Sequence, residues 1–134
     1  MTSSKIKFSE PPKFLSILGC QGFEYDEDNE SALMKFQVGE ELTHSNGTIV
    51  QGGFITAMLD TSMAHLLILK GDGLLNALSL SINVTFLAPG SPGAFVATAK
   101  IGKLGRSIAF TSAELHQNDI LVATATATNK LIKL

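Results

Sequence analysis

Two adjacent glycines, Gly52 and Gly53, stand at the head of a long apolar run, and one carboxylate, Asp60, lies eight residues beyond the first. The first amides of a helix have no intrahelical partners and carry the positive end of its dipole. Without a Cβ, glycine lets another group approach that backbone closely. Such a place can stabilise the oxyanion that forms when an ester or thioester carbonyl is attacked. Two glycines there can also do no more than turn a loop into a helix. Asp60 would have Thr56, Ala57, Met63 and Ala64 as its helical neighbours. A carboxylate on so apolar a surface costs free energy unless it is paired, hydrogen-bonded or protonated. Burial disfavours its charged form, the direction that suits a general base, and a hydrogen bond from a nearby hydroxyl opposes that effect. Alternatively, Asp60 caps a second helix after a break, with its oxygen on the Ser62 or Met63 amide. The apolar pattern runs through position 60 without a breaker, which favours an unbroken helix.

Eight residues of helix rise roughly 12 Å, beyond hydrogen-bond reach. One carbonyl therefore cannot touch both Gly52 and Asp60 of a single chain. If both act on one bond, they come from different subunits, and the expectation is a homo-oligomer, a dimer or a dimer of dimers. Other constellations are weaker. Of the three histidines, His44 falls in a loop, His116 ends a strand, and His65 lies about 140° around the helix from Asp60. Each reads as structural or solvated. Ser62 lacks a G-x-S-x-G elbow, so a serine nucleophile is not expected. With no pair of histidines at ligand spacing on one face and the single cysteine, Cys20, standing apart, no metal is expected.

These residues need elements to hold them. Pro11 and Pro12 open a short helix carrying Phe14, Leu15, Ile17 and Leu18, with Gly19 as its stop. Residues Ser31 to Val38 alternate as a strand, and Glu40 to Gln51 is polar with an Asn46-Gly47 turn signal. The apolar run from Phe54 to Leu69 is long enough for a helix and apolar almost all round, so it should be buried on most sides. Lys70-Gly71 ends it. Beyond it, Leu78, Leu80, Ile82, Val84 and Phe86 alternate with small polar residues at a clean period of two. Three further strands are expected over Phe95 to Ile101, Ser107 to His116 and Ile120 to Ile132. Helix, strand, buried helix and four strands fit an α+β architecture, an antiparallel sheet wrapped around one long central helix. The helix flank that the sheet leaves bare is most economically covered by a second copy of the chain.

Composition excludes several classes. With 134 residues the chain fits one domain, read as 1–134. Only 16% of residues are charged, against about 25% in a typical domain, so intrinsic disorder is excluded and some surface covered by another subunit is suggested. Ten basic and twelve acidic residues leave no basic footprint for nucleic acid. The segment Met1 to Phe8 has no apolar core, so no secretory signal is expected. Phe54 to Leu69 is interrupted by Asp60, Thr61, Ser62 and His65 and reads as too short and polar to cross a membrane. A soluble cytoplasmic protein with no membrane partner is the expectation.

At these residues the sequence resembles the hotdog-fold acyl-CoA thioesterases of the phenylacetate-pathway (PaaI-like) group. Their signature runs as an asparagine, a few residues, His-Gly-Gly, six residues and an aspartate, and here Gly52, Gly53 and Asp60 match it in identity and spacing. The likeness continues through Ser79 to Pro89, Gly105-Arg106-Ser107 and the Ala-Thr-rich last strand, over roughly residues 11 to 132. The resemblance implies a hotdog fold and hydrolysis of an acyl-CoA, aromatic or medium-chain, with coenzyme A as part of the substrate and no separate cofactor. It implies Gly52 N–H as oxyanion donor, aided by the residue before it, and Asp60 of the partner subunit as general base or nucleophile. Ser79 would hold the attacking water and orient Asp60. Gly53 would belong to the substrate-binding turn, and Arg106 with Lys103 would meet coenzyme A phosphates. The family histidine is Gln51 here, whose amide can donate to a carbonyl but cannot protonate a leaving thiolate. The family asparagine falls on Ser45, with Asn46 one residue out of register. Because Gln51 departs from the pattern, the alternative is a non-catalytic acyl-CoA-binding hotdog protein. A hotdog dehydratase is disfavoured, since no histidine precedes the central helix.

Overall fold

The computed structural model describes residues 11–134, so the expectation about the N-terminal segment lies outside them. A short helix α1 (Lys13–Ile17) buries Leu15 and is stopped, as expected, at Gly19. Gly19 sits at φ +73°, and a Cβ there would lie 1.8 Å from the Gln37 carbonyl oxygen, so only glycine fits. Strands β1 (Cys20–Asp26) and β2 (Ser31–Val38) form a hairpin. A 3₁₀ turn (Glu40–Leu42) and the two-residue strands β3 (Thr43–His44) and β4 (Ile49–Val50) lead into α2 (Gly52–Lys70). Then come β5 (Leu75–Phe86), β6 (Gly93–Leu104), β7 (Ile108–Gln117) and β8 (Ile120–Lys133).

Six strands make one antiparallel sheet in the order β1-β2-β6-β7-β8-β5, and α2 lies across it. The core sits between them, with Met58, Leu59, Met63 and Leu66 of α2 against Met34, Phe36, Phe95, Leu115 and Val122 of the sheet. This is the hotdog-like α+β arrangement the pattern implied. Ten of the nineteen residues of α2 are buried, and the partly open side carries Gly53, Thr56, Ala57, Asp60 and Ala64. At 19 residues α2 is long and apolar enough to cross a membrane, which corrects the reading of the run as too short and polar. Its burial against the sheet makes it a core helix.

Three other features depart from the sequence reading. The polar stretch 40–51, read as a loop or turn, adds a two-residue hairpin, β3–β4, around its Asn46-Gly47 turn. Strand β1 was not anticipated, because its apolar signal reduces to Phe23 and Tyr25 and Gly22 interrupts it. The third departure bears on the site. The period of two over Leu78 to Phe86 is broken, since Ser79 pairs with Asn129 and Ser81 with Thr128, leaving Leu80 as the extra residue of a bulge. Ile82 and Val84 pack on the core, whereas Leu78 and Leu80 are 48% and 57% exposed. The bulge flips the faces, so Ser79 points at α2.

Candidate active site

Asp60 sits in the middle of α2, which is continuous through it, so the capping alternative does not apply. Its Oδ1 accepts a 2.6 Å hydrogen bond from the Ser79 hydroxyl. The two residues are nineteen apart in sequence and meet only because the bulge in β5 turns Ser79 inward. A carboxylate in mid-helix is thereby hydrogen-bonded while half-exposed, beside the strand that ends the sheet.

Gln51 is the N-cap of α2, and its Oε1 accepts from the Gly53 amide at 2.7 Å. An amide N–H can only donate, so the side-chain oxygen must face it and Nε2 is left as the donor end of the group. The Phe54 and Ile55 amides donate to the Gln51 carbonyl at 3.0 and 3.3 Å. Among the described residues, Gly52 N–H is then the one amide of the first turn without a partner. Sequence reasoning assigned Gly53 to substrate binding, yet in this structure its amide is occupied by Gln51. A Cβ on Gly52 would lie 3.3 Å from the Phe86 ring, so that ring flanks the unpaired amide. Beside it an apolar groove of about 380 Å³ is lined by Ile49, Val50, Ile55, Phe86, Leu87 and Pro89.

The remaining predicted residues lie apart from this centre. Ser45 and Asn46 occupy the β3–β4 turn at φ +56° and +59°, where the Thr48 hydroxyl donates to the Ser45 carbonyl at 2.6 Å. Lys103 and Arg106 are exposed at the β6–β7 turn, which the Gly105 amide closes on the Ile108 carbonyl at 2.9 Å. His65 is buried and faces β1, its ring 6.2 Å from that of Phe23. Its Nδ1 lies 2.9 Å from the Thr61 carbonyl oxygen, which only accepts, so Nδ1 carries the proton. Burial holds the His65 pKa below the ordinary 6.5 despite that hydrogen bond. On the outer face of the sheet a depression of about 400 Å³ is lined by threonines, Ser112 and Asn83 together with Lys100 and Glu114, and it contains none of the predicted residues.

Comparison with known proteins places the chain in a family. Residues 41–130 match the model of the acyl-CoA thioesterase N-terminal domain family. No protein of curated function matches the sequence. Among solved structures, the phenylacetic acid degradation-related protein of Ralstonia eutropha is 31% identical over 90% of this chain and 91% of its own, with a TM-score of 0.84. A point variant of the phenylacetic acid degradation protein PaaI of Thermus thermophilus is 25% identical over 89% of this chain and 98% of its own, with a TM-score of 0.77. A thioesterase of Haemophilus influenzae shares the fold at 20% identity, over 90% of this chain and 83% of its own, with a TM-score of 0.80. The chain therefore belongs to the acyl-CoA thioesterase family, as a hotdog-fold member related to the phenylacetic acid degradation proteins.

Proposed function

We propose that the protein hydrolyses the thioester of an acyl-CoA to free acid and coenzyme A, at sites shared between two subunits of one hotdog domain each. The observation that carries this reading is the unpaired Gly52 N–H at the positive end of α2, beside an apolar groove. That amide, with Gln51 Nε2, polarises the thioester carbonyl as charge develops on its oxygen. Asp60 of the other subunit removes a proton from the attacking water, or attacks the acyl carbon itself to form an anhydride that water then cleaves. In both routes the C–S bond breaks and coenzyme A leaves as a thiolate that takes its proton from solvent. Ser79 holds the carboxylate in place. The groove takes the acyl group, aromatic or medium-chain, and Arg106 with Lys103 meets the coenzyme A phosphates. A cytoplasmic location goes with a substrate of that kind.

Sharing between subunits is supported by the two edges of the sheet. Strand β1 carries Glu24 and Asp26, charges that discourage edge pairing. Strand β5 spans twelve residues without a charge, and Leu78, Leu80 and Phe86 along it are exposed. Pairing β5 with a second copy covers this edge and sets the Asp60 flank of one helix near the Gly52 end of the other. The test is free-thiol release from a panel of acyl-CoAs, together with light scattering. Turnover by a dimer or tetramer is expected, and an active monomer would overturn the shared site. The second reading, a non-catalytic binder, rests on Gln51, which cannot protonate a leaving thiolate. It predicts no turnover but a melting temperature raised by acyl-CoA.

A further inference from the structure

The connection from β5 to β6, residues 87–92, contains Pro89 and Pro92, which have no N–H to give to a ladder. None of its residues lies in a strand, and Leu87, Pro89 and Ser91 are exposed. Leu87, Ala88, Pro89 and Gly90 nevertheless line the apolar groove together with Val50 and Ile55. A groove of fixed width needs this segment to be held from elsewhere in the fold.

Three sets of contacts hold it. At the β5 end the Leu87 and Ala88 amides both donate to the Val122 carbonyl of β8, at 2.8 and 3.1 Å. In the middle the Gly90 carbonyl accepts from the Val50 amide at 2.8 Å, and a Cβ on Gly90 would fall 2.8 Å from the Phe95 ring. At the β6 end both backbone groups of Ser91 meet one side chain, that of Gln117, the last residue of β7. Its Oε1 accepts from the Ser91 amide at 2.9 Å, and its Nε2 donates to the Ser91 carbonyl at 2.7 Å. An amide side chain offers the same donor and acceptor as a backbone peptide, so Gln117 supplies the two-bond rung that a neighbouring strand would give. The Ser91 hydroxyl adds only a 3.4 Å contact to the same oxygen. Gln117 is buried and does not itself line the groove. Because Ser91 is exposed, water would satisfy its backbone if Gln117 could not, and the connection would then move at little cost in stability.

We infer that Gln117 is a positioning residue for the groove: by clamping the Ser91 backbone it holds residues 87–90 against Val50 and so sets the width available to the acyl group. It acts through Ser91 and Gly90 and touches no substrate. The clamp is independent of the reaction, while the acyl group as occupant rests on the proposed thioester hydrolysis.

Amide hydrogen exchange reads the clamp directly. In the wild type the Ser91 amide should exchange at least tenfold slower than an unprotected amide, and exchange at the unprotected rate overturns the clamp without any variant. Gln117→Met keeps the length of the side chain and removes both hydrogen bonds. In it the Ser91 and Val50 amides should exchange at least tenfold faster, while the Leu87 and Ala88 amides, held by Val122, change less than threefold. Free-thiol release should then separate by acyl group. KM for octanoyl-CoA and phenylacetyl-CoA should rise at least fivefold, and KM for acetyl-CoA, which has no chain to fill the groove, should change less than twofold. A merely structural role for Gln117 would move all three thioesters together. An unchanged Val50 exchange rate, or KM values that do not separate by acyl group, overturns the inference. Ser91→Ala should leave every one of these quantities unchanged, since the clamp is to the backbone, and effects as large as those of Gln117→Met would refute it. Gln117→Glu, which keeps the acceptor and loses the donor, supplies the same comparison if the methionine protein does not fold. A wild-type protein that turns over no acyl-CoA would defeat the proposed function, and the exchange rates would still decide the clamp.

Discussion

Replacing Asp60 by asparagine separates chemistry from architecture, because the two side chains have the same shape. Ser79 Oγ, 2.6 Å from Asp60 Oδ1, can still donate to the carbonyl oxygen of an asparagine. Only the charge of the acceptor is lost. A hydrogen bond to a charged group is worth about 1.5–3 kcal/mol and a neutral one about 1, and the exposure of Ser79 argues for the low end. Asp60→Asn should therefore cost roughly 0.5–1 kcal/mol of stability, a fall in Tm of about 2–4 °C for a chain of this length. Turnover should respond on another scale. Removing a general base typically costs 10²–10⁴-fold, about 2.7–5.5 kcal/mol of barrier. Free-thiol release from acyl-CoA, measured beside Tm and light scattering, would resolve the two scales. An intact oligomer with kcat down at least a hundredfold is the expected result. Activity within a few-fold of wild type in an equally stable protein would falsify the assignment of Asp60. Ser79→Ala provides the graded companion, since it keeps the carboxylate and removes one hydrogen bond. There kcat should fall about tenfold, with the oligomer again intact.

Other perturbations test the remaining parts. Gly52→Ala adds a methyl 3.3 Å from the Phe86 ring at a helical position, where alanine gains about 0.5–1 kcal/mol over glycine. Stability should hold while kcat/KM drops at least tenfold, because the methyl blocks close approach to the Gly52 amide, and unchanged turnover would show that no substrate atom approaches there. Replacing both Lys103 and Arg106 with alanine should raise KM for an acyl-CoA several-fold and leave that for an acyl-pantetheine thioester unchanged. Equal effects on both thioesters would rule out phosphate recognition. Because burial lowers the pKa of His65 in the fold, the unfolded chain takes up its proton first as pH falls below about 6.5. His65 thus contributes full stability above that pH, then loses up to about 1.4 kcal/mol per unit until the folded imidazole itself titrates. Urea midpoints at about pH 7.5 and 5.5 should differ more in wild type than in His65→Gln, and equal differences would refute the effect.

Much of this was legible in the sequence because it depends on neighbours along the chain. The helix beginning at Gly52, the place of Asp60 within it and the strands after it follow from apolar spacing, turn residues and the lack of a breaker. The separation of Gly52 and Asp60 is a property of any helix. What escaped the sequence depends on neighbours across the fold. Strand β1 is an edge strand held by pairing with β2, and its own residues say little. Gln51 turned out to cap Gly53, a choice made by a side-chain rotamer once α2 exists.

The bulge in β5 shows the division most clearly. Read alone, residues 78 to 86 put five apolar side chains on one face and Ser79 on the other. The tertiary structure reverses the first part of that pattern. Alternation measures only how a strand could bury its apolar residues. Register is chosen by what waits on the facing elements, here Asp60 on α2, a polar group that a leucine cannot satisfy. The sequence determined that a carboxylate would be carried on the central helix. Only the packed sheet decided that a serine nineteen residues away would reach it.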